Sequence, residues 1–390
     1  MNRRQIMTSL AGLASVAAVE SHAFAATPRA ATVGSLPVFD PRKMGVIGDG
    51  KTLDSAAINQ AITLCSAARG GIVYLSPGTY LCETVILKSN VTLYLEAGAT
   101  ILGSPRIADY NPKHLIYARN AENVSLTGPG CVDGQGHTFW VPSGRSPVAP
   151  DQEWSDAIHI DWKYNERPEP MVQFHAVTNL RLEGVRLQGA AGWTMRPFNC
   201  NHVVLHGISI KNPVYGTNSD GVDITGCQNV LMSDCVVDTG DDGIRIKSED
   251  VDGDACNTTK NIVVTNCIVT GCCDGFKIGT KTENGFENIT FSNSVMFNDD
   301  VPFGSRSNAG IPLEMVDGGW IDGVVLTGIK MRRARAPLHI RLEDVPRADF
   351  FEITAPPKPN FMLRNVTDLR ILWSRAAKDT TLAVASDQTL

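Results

Sequence analysis

From about residue 70 the chain is written in short runs in which aliphatic or β-branched side chains alternate with polar ones. The runs share an opening, an Asn or a residue in its place followed by the alternation. Asn90-Val-Thr-Leu, Asn123-Val-Ser-Leu, Asn179-Leu-Arg-Leu, His202-Val-Val-Leu, Asn229-Val-Leu-Met, Asn261-Ile-Val-Val and Asn288-Ile-Thr-Phe fit it, and Gly323-Val-Val-Leu continues it. From Asn179 to Gly323 the openings are 23, 27, 32, 27 and 35 residues apart. Period-two alternation specifies strands with one buried face. Two or three such strands per repeat, separated by Gly, Asn and Asp turns, specify a solenoid. The predicted fold is all-β, a right-handed parallel β-helix of about ten coils. Asn suits the corner because it tolerates left-handed backbone angles and can bond to the Asn above it, so these residues are read as structural.

Three stretches depart from the pattern. Ser55 to Ala68 reads as an amphipathic helix, with Ala56, Ile58, Ala61, Ile62 and Cys65 on one face, capping the N-terminal end of the solenoid. Residues 141–170 are a polar, Pro-rich insertion carrying Trp154, Trp162 and Tyr164, placed on the binding face. Beyond Pro356, Phe361 to Trp373 is expected to form a last coil. The N-terminus has a different grammar. Arg3 and Arg4 precede an apolar run, Ile6 to Ala18, and then Ala23-Phe24-Ala25. That order is an export signal, and the paired arginines favour the twin-arginine type. The expected organisation is a signal over 1–25 and a single β-helix domain over 26–390, in a periplasmic or secreted protein.

Composition narrows the partners. The chain has 390 residues and a net charge of −6, without the basic excess of a nucleic-acid binder. After the signal no apolar stretch is long enough to span a membrane, so no membrane partner is expected. All ten cysteines follow the signal. Several, such as Cys235 and Cys267, occupy strand positions that would suit Val or Ile, so most are expected to be buried thiols. No Cys/His spacing suggests zinc, and no cofactor is expected.

The candidate chemistry lies in three segments: Asn218-Ser-Asp-Gly-Val-Asp-Ile224, Gly240-Asp-Asp-Gly-Ile-Arg-Ile-Lys247 and Cys273-Asp-Gly-Phe-Lys-Ile-Gly279. Each runs Asp, Gly, then an alternating strand. Stacked coils would set Asp220, Asp242 and Asp274 one above another, with Asp241 beside Asp242, at a strand spacing of ~4.8 Å. Like charges so close raise at least one pKa, which makes a general acid. One protonated and one ionised carboxyl group are what glycosidic hydrolysis needs. Turn chemistry or calcium binding would also explain a single Asp-Gly. On the same face, alternation places Asp223 and Thr225, Arg245 and Lys247, Lys277, then Pro312 and Glu314, and then His339 and Arg341. The cations either clamp an anionic sugar or neutralise a crowded acidic face.

With these residues in view, the chain resembles glycoside hydrolase family 28, the polygalacturonase family, from about Gly45 to Arg341. Gly45-Val-Ile-Gly-Asp-Gly-Lys51 is similar to its entry motif, and Gly70 to Tyr80 to its first coil. Val132-Asp-Gly-Gln-Gly136 resembles I-D-G-Q-G, Gly192-Trp-Thr-Met-Arg-Pro197 resembles W-T-x-H-P with Arg196 at the His place, Asn218-Ser-Asp220 resembles N-T-D, and Gly240-Asp-Asp242 resembles G-D-D. The resemblance implies an inverting, metal-independent glycosidase in which Asp241 is the acid and Asp220 with Asp242 hold the attacking water. Two elements differ. Asp274 stands where the family's G-H-G has His, and Pro312-Leu-Glu314 where its galacturonate-gripping R-I-K would fall.

The expected function is therefore hydrolysis of pectic galacturonan or rhamnogalacturonan-type oligosaccharides, with exo-action suggested by the 141–170 insertion. Asp220, Asp241 and Asp242 are the expected catalytic residues. Lys247, Lys277, Arg341, Asp274, Arg245, His339 and Trp154 are expected to bind substrate, with Lys247 first among the cations because it shares a strand with the Asp pair. A different acidic or neutral polysaccharide, a calcium-dependent polysaccharide lyase and a non-catalytic carbohydrate-binding β-helix are the alternatives.

Overall fold

The computed structural model describes residues 36–141, 163–164, 166–214, 216, 218–271, 273–297, 309–332, 334 and 336–342. They lie in one compact unit that begins at Leu36. The export signal, Trp154, Trp162 and the 361–373 segment lie outside the described residues.

Each coil closes because its strands pair only with their counterparts in the coils above and below. A ten-stranded sheet runs from Asp49–Leu53 to Lys330–Arg332, one strand per coil, all parallel. A seventeen-stranded sheet supplies the remaining walls and turns a corner within itself. In the early coils that corner lies inside single long strands, Ile116–Thr127 and Val172–Glu183. Later coils split it into two, as in Met195–Phe198 and Asn201–His206. The architecture is the right-handed parallel β-helix that the repeat predicts.

The corner is where the Asn openings fall. Asn90, Asn123, Asn179, His202, Asn229, Asn261 and Asn288 all have φ between 53° and 66°, and Gly323 has φ 72°. Their amides form a ladder along the axis. Asn123 Nδ2 donates to Asn90 Oδ1 at 2.7 Å and Asn179 to Asn123 at 2.9 Å. His202 interrupts it, and a second run begins at Asn201, which accepts from Asn229 at 2.8 Å; Asn261 donates to Asn229 at 2.9 Å and Asn288 to Asn261 at 3.2 Å.

Inside the coils, equivalent side chains stack in register, as in Leu180, Val203, Val230, Ile262 and Ile289, each at most 2% exposed. Full burial of such a side chain is worth about 1.5–3 kcal/mol. The cysteines join these stacks: eight of the nine described are buried free thiols, with Cys273 partly exposed. The helix spans Ser55–Ala67 and covers the first coils with Ile58, Ala61, Ile62 and Cys65. Ala56 is instead exposed; Ser55 takes the buried place, donating to Glu83 at 3.0 Å.

The ladder has a measurable consequence. Left-handed angles cost a residue with a Cβ roughly 1–2 kcal/mol unless it is Asn or Asp. Asn261→Ala loses two amide bonds and gains that strain, so it should destabilise by about 2 kcal/mol or more. Asn261→Gly keeps the angle without strain and should cost about 1 kcal/mol less. A denaturant midpoint lower for the Gly variant than for the Ala variant would contradict this account.

Candidate active site

Three successive coils make the same step before a strand: Asp220-Gly221 ahead of Val222–Thr225, Asp242-Gly243 ahead of Ile244–Ser248, and Asp274-Gly275 ahead of Phe276–Thr282. The register pairs Val222 with Ile244 and Ile244 with Phe276. Backbone bonds continue it one residue back: Gly221 N–H donates to the Asp242 carbonyl at 2.9 Å and Gly243 N–H to that of Asp274 at 2.8 Å. The glycines are dictated by close approach. A Cβ on Gly221 would lie 2.3 Å from the Gly243 carbonyl oxygen, and one on Gly243 2.7 Å from that of Gly275. A row of glycines thus allows the tight stack, and the residue before each glycine becomes a row of acids.

Asp220, Asp242 and Asp274 are 0, 2 and 3% exposed, while Asp241 is partly open. Two cations thread the row. Arg245 Nη1 bonds to Asp220 Oδ2, and its Nε lies 2.9 Å from Asp242 Oδ2. Lys277 Nζ lies 2.8 Å from Asp274, 3.2 Å from Glu314 and 3.6 Å from Asp242. These contacts separate the two adjacent acids. Burial, then the charges of Asp220 and Asp242, push the Asp241 carboxyl well above the usual range. Burial also acts on Asp242, but Lys277 and Arg245 outweigh it and hold that carboxyl below its ordinary value. Burial raises Asp220 despite Arg245, and raises Asp274 to about 7 against the pull of Lys277. A pair of adjacent carboxyl groups driven in opposite directions is a donor beside an acceptor.

The remaining expected residues divide. Arg245, Lys277 and Asp274 join the row, and His339 Nδ1 lies 3.6 Å from Glu314 Oε1. Arg341 is in register with Glu314, and its side chain lies outside the described residues. Lys247 differs from its expected role as first clamp. Its side chain is 1% exposed, its ammonium lies 3.4 Å from Asp223 Oδ1 and 3.7 Å from Glu249, and it sits 3.4 Å from the centre of the Trp193 ring. The cover has two parts. Trp193 lies over the strand, and the 249–257 loop folds back on the outer face, where Val251 and Cys256 pack on Phe198 as a small second apolar cluster. Asp254 of that loop meets both His175 Nε2 and Arg119 at 2.6 Å.

Trp193, Arg196, Glu249 and Glu314 belong to the site's surroundings although no role was expected of them. Arg196 donates to Gln173 Oε1 at 2.7 Å, and its guanidinium lies over the Trp193 ring, 5.4 Å from the ring centre. The Trp-Thr pair at 193–194 was the available sequence signal. Asp241, Asp242 and Cys273 bring ligand atoms within 4.8 Å of one another, the one described group with metal-holding spacing. A groove along the Asn corner, lined by Asn90, Asn123, Asn179, His202 and Asn229 among others, contains none of these carboxylates.

Comparison with known proteins identifies the family and the fold. The profile described as glycosyl hydrolases family 28 matches residues 78–309. An exo-poly-alpha-D-galacturonosidase from Dickeya chrysanthemi is 28% identical over 251 residues, covering 53% of this chain and 41% of that protein. A polygalacturonase from Chamaecyparis obtusa is 27% identical over 224 residues, covering 54% and 40%. The chain thus aligns with about two-fifths of these relatives' length. Among solved structures, the hyperthermoactive exopolygalacturonase from Thermotoga maritima superposes with a TM-score of 0.63 at 22% identity, covering 78% of this chain and 83% of that one. The polygalacturonase from Erwinia carotovora ssp. carotovora gives 0.62 at 20%, covering 80% and 81%. At such identities the structures establish the shared fold.

The buried acids set the pH dependence of stability. Burial first, opposed by Lys247, raises the Asp223 carboxyl from 3.8 to about 7. Between about pH 4 and 7 the folded state holds a proton there that the unfolded state has released. Stability therefore falls as pH rises through that window, by on the order of 1 kcal/mol per pH unit for one such group. Asp223→Asn should raise the urea midpoint at pH 8 and narrow its difference from the midpoint at pH 5.5. An unchanged difference would show that Asp223 ionises normally.

Proposed function

The chain belongs to glycosyl hydrolases family 28, and from that premise we propose that it is an inverting glycoside hydrolase, exo-acting on pectic galacturonan or rhamnogalacturonan-type oligosaccharides. The observation that carries the chemistry is the opposed displacement of Asp241 and Asp242. Asp241, kept protonated, donates its proton to the glycosidic oxygen as the bond to the anomeric carbon breaks. Asp242, kept ionised, accepts a proton from the water whose oxygen attacks that carbon from the opposite face. Asp220, tied to Asp242 through Arg245, helps orient the water. The turnover ends with Asp241 ionised and Asp242 protonated, and exchange with solvent restores both. None of these steps calls on a metal ion.

The lines beyond the chemistry rest on different support. Exo-action is supported by the exo-acting relative named above and by the 141–170 insertion. Export by the twin-arginine signal, and a single domain over 26–390, are supported by the sequence pattern. Among the described residues no helix is long and apolar enough to cross a membrane.

Removing a group that transfers a proton in the transition state costs on the order of 10²–10⁴ in rate. Asp241→Asn and Asp242→Asn should each lower kcat by that factor on a pectic oligosaccharide, with the fold intact by circular dichroism. Near-native turnover by either variant would remove it from its role. Proton magnetic resonance of the first-formed anomer should show inversion, and its retention would assign a covalent route instead. Activity should fall on the acid side as Asp242 protonates and on the alkaline side as Asp241 loses its proton. Products should appear one unit at a time from a chain end; a rapid viscosity drop in polygalacturonan with few new reducing ends would mean internal cutting.

A further inference from the structure

One column of outward side chains passes along the wall that carries the acids. Its register runs Gln173, Arg196, Asp223, Arg245 and Lys277. The cations in it differ in what holds them. Arg245 is taken by Asp220, Asp242 and the Gly279 carbonyl, and Lys277 by Asp274, Glu314 and Asp242. Arg196 has no carboxylate within ion-pair distance among the described residues, and its side chain is partly open to solvent. It stands two strand spacings from Arg245, about 10 Å, on the N-terminal side of the acids. The guanidinium is nevertheless held. Gln173 is fully buried, and its Nε2 donates to the Phe174 carbonyl at 3.1 Å. That bond turns Oε1 toward Arg196, whose Nε donates to it at 2.7 Å. The Trp193 ring, its centre 5.4 Å from the guanidinium carbon, is a second support. The Nη groups meet no acceptor among the described residues. Burial draws the Arg196 pKa down, although Asp223, Glu249, Asp252 and Glu169 oppose it from beyond contact.

A partly desolvated guanidinium, fixed through Nε and with its fork unclaimed, is prepared for an anion. Two Nη donors in one plane match the two oxygens of a carboxylate, whereas a hydroxyl accepts one such bond and brings no charge. We propose that Arg196 binds the carboxylate of a uronate, in a subsite on the N-terminal side of Asp220 and Asp242, and so determines specificity for acidic over neutral sugars. Gln173 and Trp193 are its positioning residues. The inference deepens the hydrolase reading and rests on it for the identity of this face as a saccharide site. The competing account is that Arg196 only balances Asp223 and Glu249 through space. A cation with that task would be indifferent to the charge of the ligand.

The test compares two probes that differ only at C6: α-1,4-linked trigalacturonate, and galactotriose with CH2OH in place of each carboxylate. Both carry sulfur at the glycosidic positions, so that neither is cleaved while binding is measured. Affinities are read calorimetrically at low salt and one pH, for the full-length protein and for its Arg196→Gln and Arg196→Lys variants. The wild type should prefer trigalacturonate. Arg196→Gln should bind it about tenfold more weakly or worse, with galactotriose changed less than about threefold. Arg196→Lys keeps the charge without the fork and should fall between, losing about threefold on trigalacturonate. If Arg196→Gln unfolds, the Lys variant alone should lower the ratio by that amount. An equal change for both probes, an unchanged ratio, or binding of neither probe by the wild type overturns the proposal. Hydrolysis is read separately, as reducing ends released by the wild type from the ordinary oxygen-linked trigalacturonate. A shifted ratio supports the subsite whether or not hydrolysis is seen, and hydrolysis with an unshifted ratio sinks the subsite alone.

Discussion

In-register parallel stacking forces each residue to lie against its own counterpart, one strand spacing away. For apolar side chains this is simple packing. For Asn it is favourable, because an amide offers both a donor and an acceptor. For Asp it is unfavourable, because two carboxylates meet at a distance of a few ångströms in a low-dielectric wall. The site is made from that unfavourable case. The glycine row brings the coils close, the acids follow from the glycines, and the cost of crowding them is offset by Arg245 and Lys277.

Those two cations do more than neutralise. They are placed asymmetrically, close to Asp242 and apart from Asp241. The same crowd of charges therefore draws one carboxyl group below its ordinary range while its neighbour is pushed above it. A buried ion pair is a weak source of stability in general. Here its effect is to assign protonation states, and the accompanying burden appears as the raised carboxyls of Asp220, Asp223 and Asp274.

Much of this was legible in the chain. The Asn openings could be read because one corner conformation recurs in every coil, and the Asp-Gly segments because a stack turns sequence equivalence into spatial adjacency. The ten strands of one wall agree with the coil number that the repeat implies. What could not be read was whatever does not repeat. Alternation gave the correct face for Lys247, yet a single Trp193 ring and the 249–257 loop bury it, and nothing periodic encodes either. Ala56 was misplaced for a related reason. A helix across the end of a solenoid packs on strand ends rather than on one flat face, and Ser55 could enter by bonding Glu83. The roles of Glu314 and Arg196 depend on partners from other coils, which sequence alone does not rank.

The interruption of the amide ladder at His202 also has a mechanical side. Along most of the axis, tension between coils is shared by two parallel sets of links, the backbone bonds of the walls and the amide chain at the corner. Between the coils of Asn179 and Asn201 the second set is missing. Among the described residues that step, beside the coil that carries Trp193 and Arg196, is held by the wall bonds alone, as is the step from Asn288 to Gly323, and an axial pull extends such steps first.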